Sequence, residues 1–203
     1  MYKRQGYARN PELVINFYNE RRKQLLDVVP NAGHLGVADL ERDFNVTVVT
    51  QNVDNLHERA GSTHVIHLHG ELTKVCSSRD PYNPHFVKEL APEEYEVKLG
   101  DKAGDGTQLR PFIVWFGESV PEIETAIRYV EQADIFVIIG TSLNVYPAAG
   151  LLNYVPRAAE VYLIDPKPVD THVMRPIHVI QKGASEGVKE LKALLTATQP
   201  PLP

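Results

Sequence analysis

Cysteine is nearly missing from this sequence, with Cys76 the single one in 203 residues. One thiol excludes an internal disulfide and leaves no CxxC pair for a thiolate zinc site, so no zinc is expected. Long apolar runs are missing too. The longest, such as residues 135–139, stop far short of the ~20 residues a membrane helix needs, and the opening MYKRQGYARN has no apolar signal core. Nor is positive charge in excess: 21 Lys+Arg stand against 26 Asp+Glu, a net charge of -5, which leaves no broad basic face for nucleic-acid phosphates. Repeats and low-complexity tracts are also absent from the sequence. Together these gaps read as a cytoplasmic protein without nucleic-acid or membrane partners. What is present is ordinary globular material, 43% hydrophobic and 23% charged. A chain of this length buries roughly 70% of its unfolded surface, enough for one domain with room for a small module.

Asn10 before Pro11 is a helix start, an N-cap side chain followed by a proline whose missing N–H costs nothing in the first turn. Leu13, Val14, Phe17, Tyr18, Arg21 and Leu25 then recur at three- and four-residue steps, predicting one face that carries a phenol and a guanidinium among apolar groups. Asn31 opens a second helix through residue 40. Residues 46–50, 65–69 and 112–116 read as strands from their β-branched and aromatic content. Residues 135–139 and 161–164 are unbroken apolar runs, the pattern of strands buried on both faces. Helical stretches are expected near 121–133, 147–155 and 185–195. Alternation of this kind predicts an α/β fold, a parallel sheet with helices on both faces. The segment 77–109 breaks the rhythm with prolines, glycines and charges and reads as an inserted surface module, while the tail 198–203 should fray.

Three places could carry chemistry. Strand 46–50 runs into Gln51-Asn52-Val53-Asp54, amides and a carboxylate at the carboxyl end of a parallel strand, where such sheets bind ligands; an Asx-rich turn is the alternative. His64, His67 and His69 raise the question of a metal, since period-two geometry puts His67 and His69 on one strand face. His69, before Gly70 at a strand end, reads instead as an exposed imidazole able to exchange protons near neutral pH. Gly140-Thr141-Ser142 follows the apolar strand and precedes a helix, a turn that suits phosphate. Asp165, ending the next strand, could accept two ribose hydroxyls, or could simply be a turn aspartate before Pro166.

In combination, TQNVDNLHERAG at 50–61, IHLHGE at 66–71, Arg110-Pro111 through Phe116-Gly117-Glu118, and GTSLNVYPAA at 140–149 resemble the sirtuin family of NAD-dependent protein deacylases. The resemblance covers about 6–195. It implies a single catalytic domain over 1–203, with a Rossmann-like part at about 1–75 and 110–197 and a small module at about 76–109. It also implies NAD as cofactor and an acyl-lysine protein or peptide as partner. By position, Gln51, Asn52, Val53 and Asp54 would face the nicotinamide end, with Asn52 and His69 catalytic and His69 the general base. Gly140, Thr141, Ser142, Asp165, Pro166, Lys167 and Ala184 would hold the adenosine half. Val114, Phe116, Gly117, Glu118 and Val145 would hold the acyl-lysine. Tyr18 and Arg21, at i and i+3 on one helix, are similar to the Tyr-x-x-Arg pair of the class accepting acidic acyl groups, where phenol and guanidinium together grip a carboxylate. The products would be nicotinamide and O-acyl-ADP-ribose, by desuccinylation, demalonylation or deacetylation.

The chain departs from the family in two respects. The module lacks the family's two CxxC pairs. The opening strand and Gly-Ala-Gly loop that cradle the pyrophosphate would precede residue 1, so this chain as it stands is expected to bind NAD weakly. Rival readings are a non-catalytic NAD, ADP-ribose or peptide-binding fragment and a histidine metal hydrolase.

Overall fold

The computed structural model describes residues 3–141, 148–168 and 175–197. In chain order the helices are α1 (Lys3–Arg9), α2 (Pro11–Asp27), α3 (Ala32–Asp39), α4 (Leu56–Ala60), α5 (Ile123–Val130) and α6 (Ala184–Ala197). The strands are β1 (Val48–Thr50), β2 (Val65–His67), β3 (Gly70–Ser77), β4 (Lys88–Glu89), β5 (Leu109–Ile113), β6 (Ile135–Ile139), β7 (Glu160–Ile164) and β8 (His178–Ile180). The chain clusters into two compact units, one of Met1–Val29, Thr50–Asn55 and His67–Glu122, the other of Pro30–Val49, Leu56–Ile66 and Ile123–Pro203.

In the first unit, α2 begins as Asn10-Pro11 dictates, the Asn10 side chain accepting the Leu13 N–H at 3.0 Å. Its buried face is rotated from the expected one. Val14, Ile15, Tyr18, Asn19, Arg22 and Leu25 are buried, whereas Leu13 and Phe17 stand 62% and 40% exposed. Partners decide the rotation, because the segment after β4 offers bare backbone to two polar side chains. Asn19 donates to the Val97 carbonyl at 2.8 Å and accepts the Val97 N–H at 3.0 Å. Arg22 donates to the carbonyls of Tyr95 and Leu72 at 2.7 and 3.4 Å and to Asn19 Oδ1 at 2.6 Å. Burial draws the Arg22 pKa down to about 10. Buried carbonyls left without donors would each cost about 1–3 kcal/mol, so this pair fastens the segment to α2.

Strand β3 was not expected, since Glu71 and Lys74 interrupt the apolar alternation. It forms because it is the middle strand of an antiparallel sheet ordered β4-β3-β5, and a register shift between Glu71 and Val75 lets Val75 and Cys76 both be fully buried. The expected strand 112–116 ends at Ile113. Beyond it, Trp115 to Glu118 form a turn, closed by Glu118 N–H on the Trp115 carbonyl at 2.9 Å with Gly117 at φ 88°. The segment between β3 and β5 closes on a polar knot: Ser77 Oγ donates to Asp105 at 2.7 Å, lies 3.0 Å from Thr107 Oγ1, and accepts the N–H groups of Arg79 and Asp80.

The second unit holds parallel strands flanked by helices, an α/β arrangement of Rossmann type. β6, β7 and β8 pair in parallel in that order, with Ile139 opposite Ile164 and Ile164 opposite Ile180. Central β7 is buried from Val161 to Ile164, as expected, but in β6 only Ile138 is buried, because β6 is an outer strand among the described residues. The core joins Tyr162, Ile164 and Ile180 to Val37 and Leu40 and to Val188, Leu191 and Leu195. Helix α5 is shorter than the expected 121–133, and the expected helix at 147–155 is a 3-10 helix at Ala148–Tyr154. β8, three residues long, carried no readable period. β1 pairs with β2. The Val48 N–H reaches the His64 carbonyl at 3.0 Å, and past the strand ends the Leu68 N–H reaches the Thr50 carbonyl at 2.9 Å. The strand expected to 69 stops at His67.

Candidate active site

Gln51 to Asn55 leave β1 as a pinned loop. Thr50 Oγ1 accepts the Asn52 N–H at 3.0 Å, and the Val53 carbonyl accepts the Leu72 N–H at 2.7 Å. Two histidines lean on the same loop. His67 Nδ1 lies 3.0 Å from the Asn52 carbonyl and His69 Nδ1 3.2 Å from the Gln51 carbonyl. A carbonyl only accepts, so in these contacts each ring donates from a protonated Nδ1. Burial separates them: His67 is 8% exposed, while His69 is half-buried. His69 is also held by its own backbone, whose carbonyl takes the Val114 N–H at 2.9 Å. Gly70 makes that approach possible. It sits at φ 81°, and a Cβ there would overlap the Phe112 carbonyl.

Next to Val114 lies a buried polar stack. Arg110, 4% exposed, donates to both Glu118 carboxylate oxygens at 2.8 and 3.0 Å and to the Ile113 carbonyl at 3.2 Å. Burial opposes its charge, but the Glu118 bonds prevail and raise its pKa. The guanidinium lies 3.9 Å from the Trp115 ring centroid, and the Trp115 N–H bonds to Glu118 at 2.9 Å. The Trp115 indole N–H in turn donates to the Tyr18 oxygen at 3.0 Å, and the Tyr7 ring packs on Trp115 at 5.2 Å. Tyr18 is 7% exposed and burial pushes its phenol pKa up. Arg21 is exposed, its guanidinium 5.7 Å from the Phe17 ring centroid. Glu118, expected to face substrate, is thus turned toward Arg110 and Trp115, while Phe116 stands 80% exposed at the turn.

In the second unit, the pairing of Ile139 with Ile164 sets Gly140 and Asp165 side by side at the carboxyl edge of the sheet, where the Gly140 N–H bonds to the Ile164 carbonyl at 2.9 Å. Gly140, at φ 63°, is exposed, and among the described residues nothing lies within 4 Å of where a Cβ would stand. Thr141 follows, half-buried. One Asp165 oxygen accepts the Lys167 N–H at 2.8 Å, and Pro166 and Lys167 are exposed. Ala184 opens α6 rather than preceding it. Its Cβ lies 3.1 Å from the place a Gly33 Cβ would take, beside the capped start of α3. Ser142 and Val145 lie outside the described residues.

The Sir2 family profile matches residues 1–147. The chain belongs to the Sir2 family. An NAD-dependent protein deacylase of Bacteroides thetaiotaomicron is 82% identical over 191 residues, 94% of this chain and 82% of that protein. One of Helicobacter pylori is 47% identical over 186 residues, 92% and 79% of the two chains. Among solved structures, a Sir2 homolog–NAD complex superposes with a TM-score of 0.80 at 35% identity, covering 96% of this chain and 76% of that one. A Sir2–p53 peptide–NAD+ complex superposes with a TM-score of 0.75 at 27% identity, covering 95% of this chain and 81% of that one.

The first unit of this Sir2 chain therefore holds Gln51, Asn52, Val53, Asp54, His69, Tyr18, Arg21 and the strip from Val114 to Glu118, and the second holds Gly140, Thr141, Asp165 and Ala184. Among the described residues, no three His, Cys, Asp or Glu side chains are placed to hold a metal ion. His64 bonds instead to Thr47 Oγ1 at 2.9 Å and packs on Tyr129. No helix among the described residues is long and apolar enough to cross a membrane. Sequence reasoning named the strip from Val114 to Glu118 without singling out Trp115, whose indole N–H reaches Tyr18. A signal was there, since the chain's single tryptophan stands between two strip residues.

Proposed function

We propose that this chain catalyses NAD-dependent removal of acyl groups from protein lysines, releasing nicotinamide and O-acyl-ADP-ribose, in the cytoplasm and without nucleic-acid or membrane partners. The observation that carries the reading is the His69 ring, whose Nδ1–H is committed to the Gln51 carbonyl on the amide loop, so that Nε2 is left as the base. Kinship with deacylases supports it. NAD, when bound, supplies an electrophilic ribose carbon with nicotinamide as its leaving group. The residues present fit that cofactor: an exposed, positive-φ Gly140 suits a phosphate, and Asp165 beside it offers carboxylate oxygen to ribose hydroxyls.

Gln51, Asn52 and Asp54 orient the nicotinamide end through amide and carboxylate groups on a loop tied down at Thr50 and Val53. His69 Nε2 takes the proton of a reacting hydroxyl and returns it to the departing amine. Val114 and the turn at Phe116 and Gly117 hold the acyl-lysine backbone, with the 76–109 module as a fold insertion within one catalytic domain. Tyr18 and Arg21 receive a carboxylate at the far end of the acyl group, which makes succinyl- or malonyl-lysine the preferred substrate class. The test is NAD-dependent turnover of matched succinyl- and acetyl-lysine peptides, with O-acyl-ADP-ribose read by mass. Arg21→Met should lower succinyl turnover at least tenfold more than acetyl turnover, as expected for the loss of a charge-assisted partner worth about 1.5–3 kcal/mol. Equal losses on both substrates refute the carboxylate assignment, and no NAD-dependent product from either refutes the deacylase reading.

A further inference from the structure

Of all the aspartates and asparagines in the sequence, Asp105 alone is followed by glycine. Such a dipeptide is the least hindered against attack on its own side chain, because glycine sets no Cβ beside the attacking nitrogen. It stands at the tip of a tight turn in the inserted segment, where Lys102 bridges Gln108 antiparallel and the Ala103 N–H meets the Thr107 carbonyl at 2.8 Å. Gly106 is exposed there, at φ 76°. We propose that Asp105-Gly106 is a self-modification site, an isoaspartate-forming bond that the knot of Ser77, Asp105 and Thr107 keeps closed and that reacts when the knot opens. In the reaction the Gly106 nitrogen bonds to the side-chain carboxyl carbon of Asp105 and gives up its proton. A carboxyl oxygen leaves as water, which closes a five-membered succinimide. Water then opens the ring at the main-chain carbonyl, breaking its bond to nitrogen, so that the chain runs on through the side-chain carbonyl and the former main-chain carbonyl becomes a carboxylate.

The knot restrains both reacting groups. One Asp105 oxygen accepts the Ser77 hydroxyl at 2.7 Å, and the other accepts the Thr107 N–H at 3.0 Å and the Thr107 hydroxyl at 2.7 Å. Ser77 is fully buried and is itself fixed, accepting the N–H groups of Arg79 and Asp80 at 3.0 Å each. These bonds hold the Asp105 pKa down to about 2, so the neutral carboxyl, the form that releases water readily, is scarce. The nucleophile is held as well, since the Gly106 N–H donates to the Ala103 carbonyl at 2.9 Å. Ring closure therefore needs a local opening of the turn that frees the carboxylate and the Gly106 nitrogen together. The change is one-way for the fold. Isoaspartate lengthens the main chain by one carbon and leaves the carboxylate on a shorter branch, so Ser77 and Thr107 no longer meet it where they did. The inserted segment loses its closure at this bond.

The experiment incubates the full chain for weeks at neutral pH, below its melting temperature, beside a free peptide of residues 103–108. Isoaspartate is read by digestion with an endoproteinase that cleaves before aspartate and not before isoaspartate, and is located by fragment masses. In the folded chain it should form at Asp105 before any other residue, at less than about a tenth of the free peptide's rate, because only the locally opened fraction reacts. Ser77→Ala removes one bond to the carboxylate and Thr107→Val removes another while keeping the side-chain shape. Each should raise the rate about fivefold, as expected for the loss of a charge-assisted hydrogen bond at a half-exposed site. Ile164→Val separates local opening from loss of stability at large, since Ile164 is fully buried in the core of the other unit. It should leave the rate at Asp105 unchanged. A folded parent chain that reacts as fast as the free peptide overturns the proposal, as does Ser77→Ala or Thr107→Val reacting no faster than the parent. Isoaspartate appearing first at another residue, or Ile164→Val accelerating the reaction as much as Ser77→Ala does, overturns it too.

Discussion

Arg110 and Glu118 form a bidentate pair with side chains only 5% and 13% exposed. Glu118→Gln keeps the shape and removes the charge, which leaves a buried guanidinium without its counter-ion. Breaking a buried pair from one side typically costs about 3–5 kcal/mol. Arg110 also retains its Ile113 carbonyl and the Trp115 face, and a glutamine oxygen can still accept one bond, so the lower end of that range, about 3 kcal/mol, is expected. For a chain of this size each kcal/mol moves the melting temperature by about 2–4 °C, so the shift should be near 10 °C. Calorimetric melting and urea titration of the two proteins measure it. The pair makes a sharper claim in combination. Arg110→Met with Glu118→Met removes both charges, so it should destabilise less than Glu118→Met alone, because no unpaired charge is left behind. A single-variant loss under about 1 kcal/mol, or a double variant worse than the single, would refute the reasoning.

Further outcomes follow from the inserted segment. Hydrogen bonds from Ser77 and then Thr107 hold the Asp105 pKa down to about 2, below its ordinary 3.8. A folded pKa lowered in this way stabilises the fold above pH 3.8, and the contribution is lost as the pH falls through 2. Asp105→Asn should therefore flatten the decline in melting temperature between those values, and parallel curves would contradict the assignment. Elemental analysis of the purified protein should find zinc far below one atom per chain, since the segment closes on Ser77, Asp105 and Thr107; one zinc per chain retained against a chelator would show that Cys76 or the histidines had been misread.

What was legible in the sequence had a local cause. Asn10-Pro11 caps a helix wherever it stands, and the apolar runs at 135–139 and 161–164 are strands by composition alone. The amide loop at 51–55 and His69 were visible because polar residues at the carboxyl end of a strand have a known use. Features settled by distant partners were not legible. Arg22 looked no different from Arg21 until Tyr95, Leu72 and Asn19 were seen to receive it. β3 reads as mixed polarity because its neighbours, and not its own alternation, bury it. Trp115 lay inside a recognised motif, but its donor function depends on Tyr18, 97 residues away.

The claim at the centre of this account is that His69 is the base of an NAD-dependent deacylation. The most direct measurement is the turnover of an acyl-lysine peptide with NAD by His69→Ala and His67→Ala, each first shown to melt as a folded protein. His69→Ala should lose a factor of about 10² or more, the usual scale for a missing acid–base group, and should lose far more than folded His67→Ala. Turnover by His69→Ala within a few-fold of the parent protein would contradict the account.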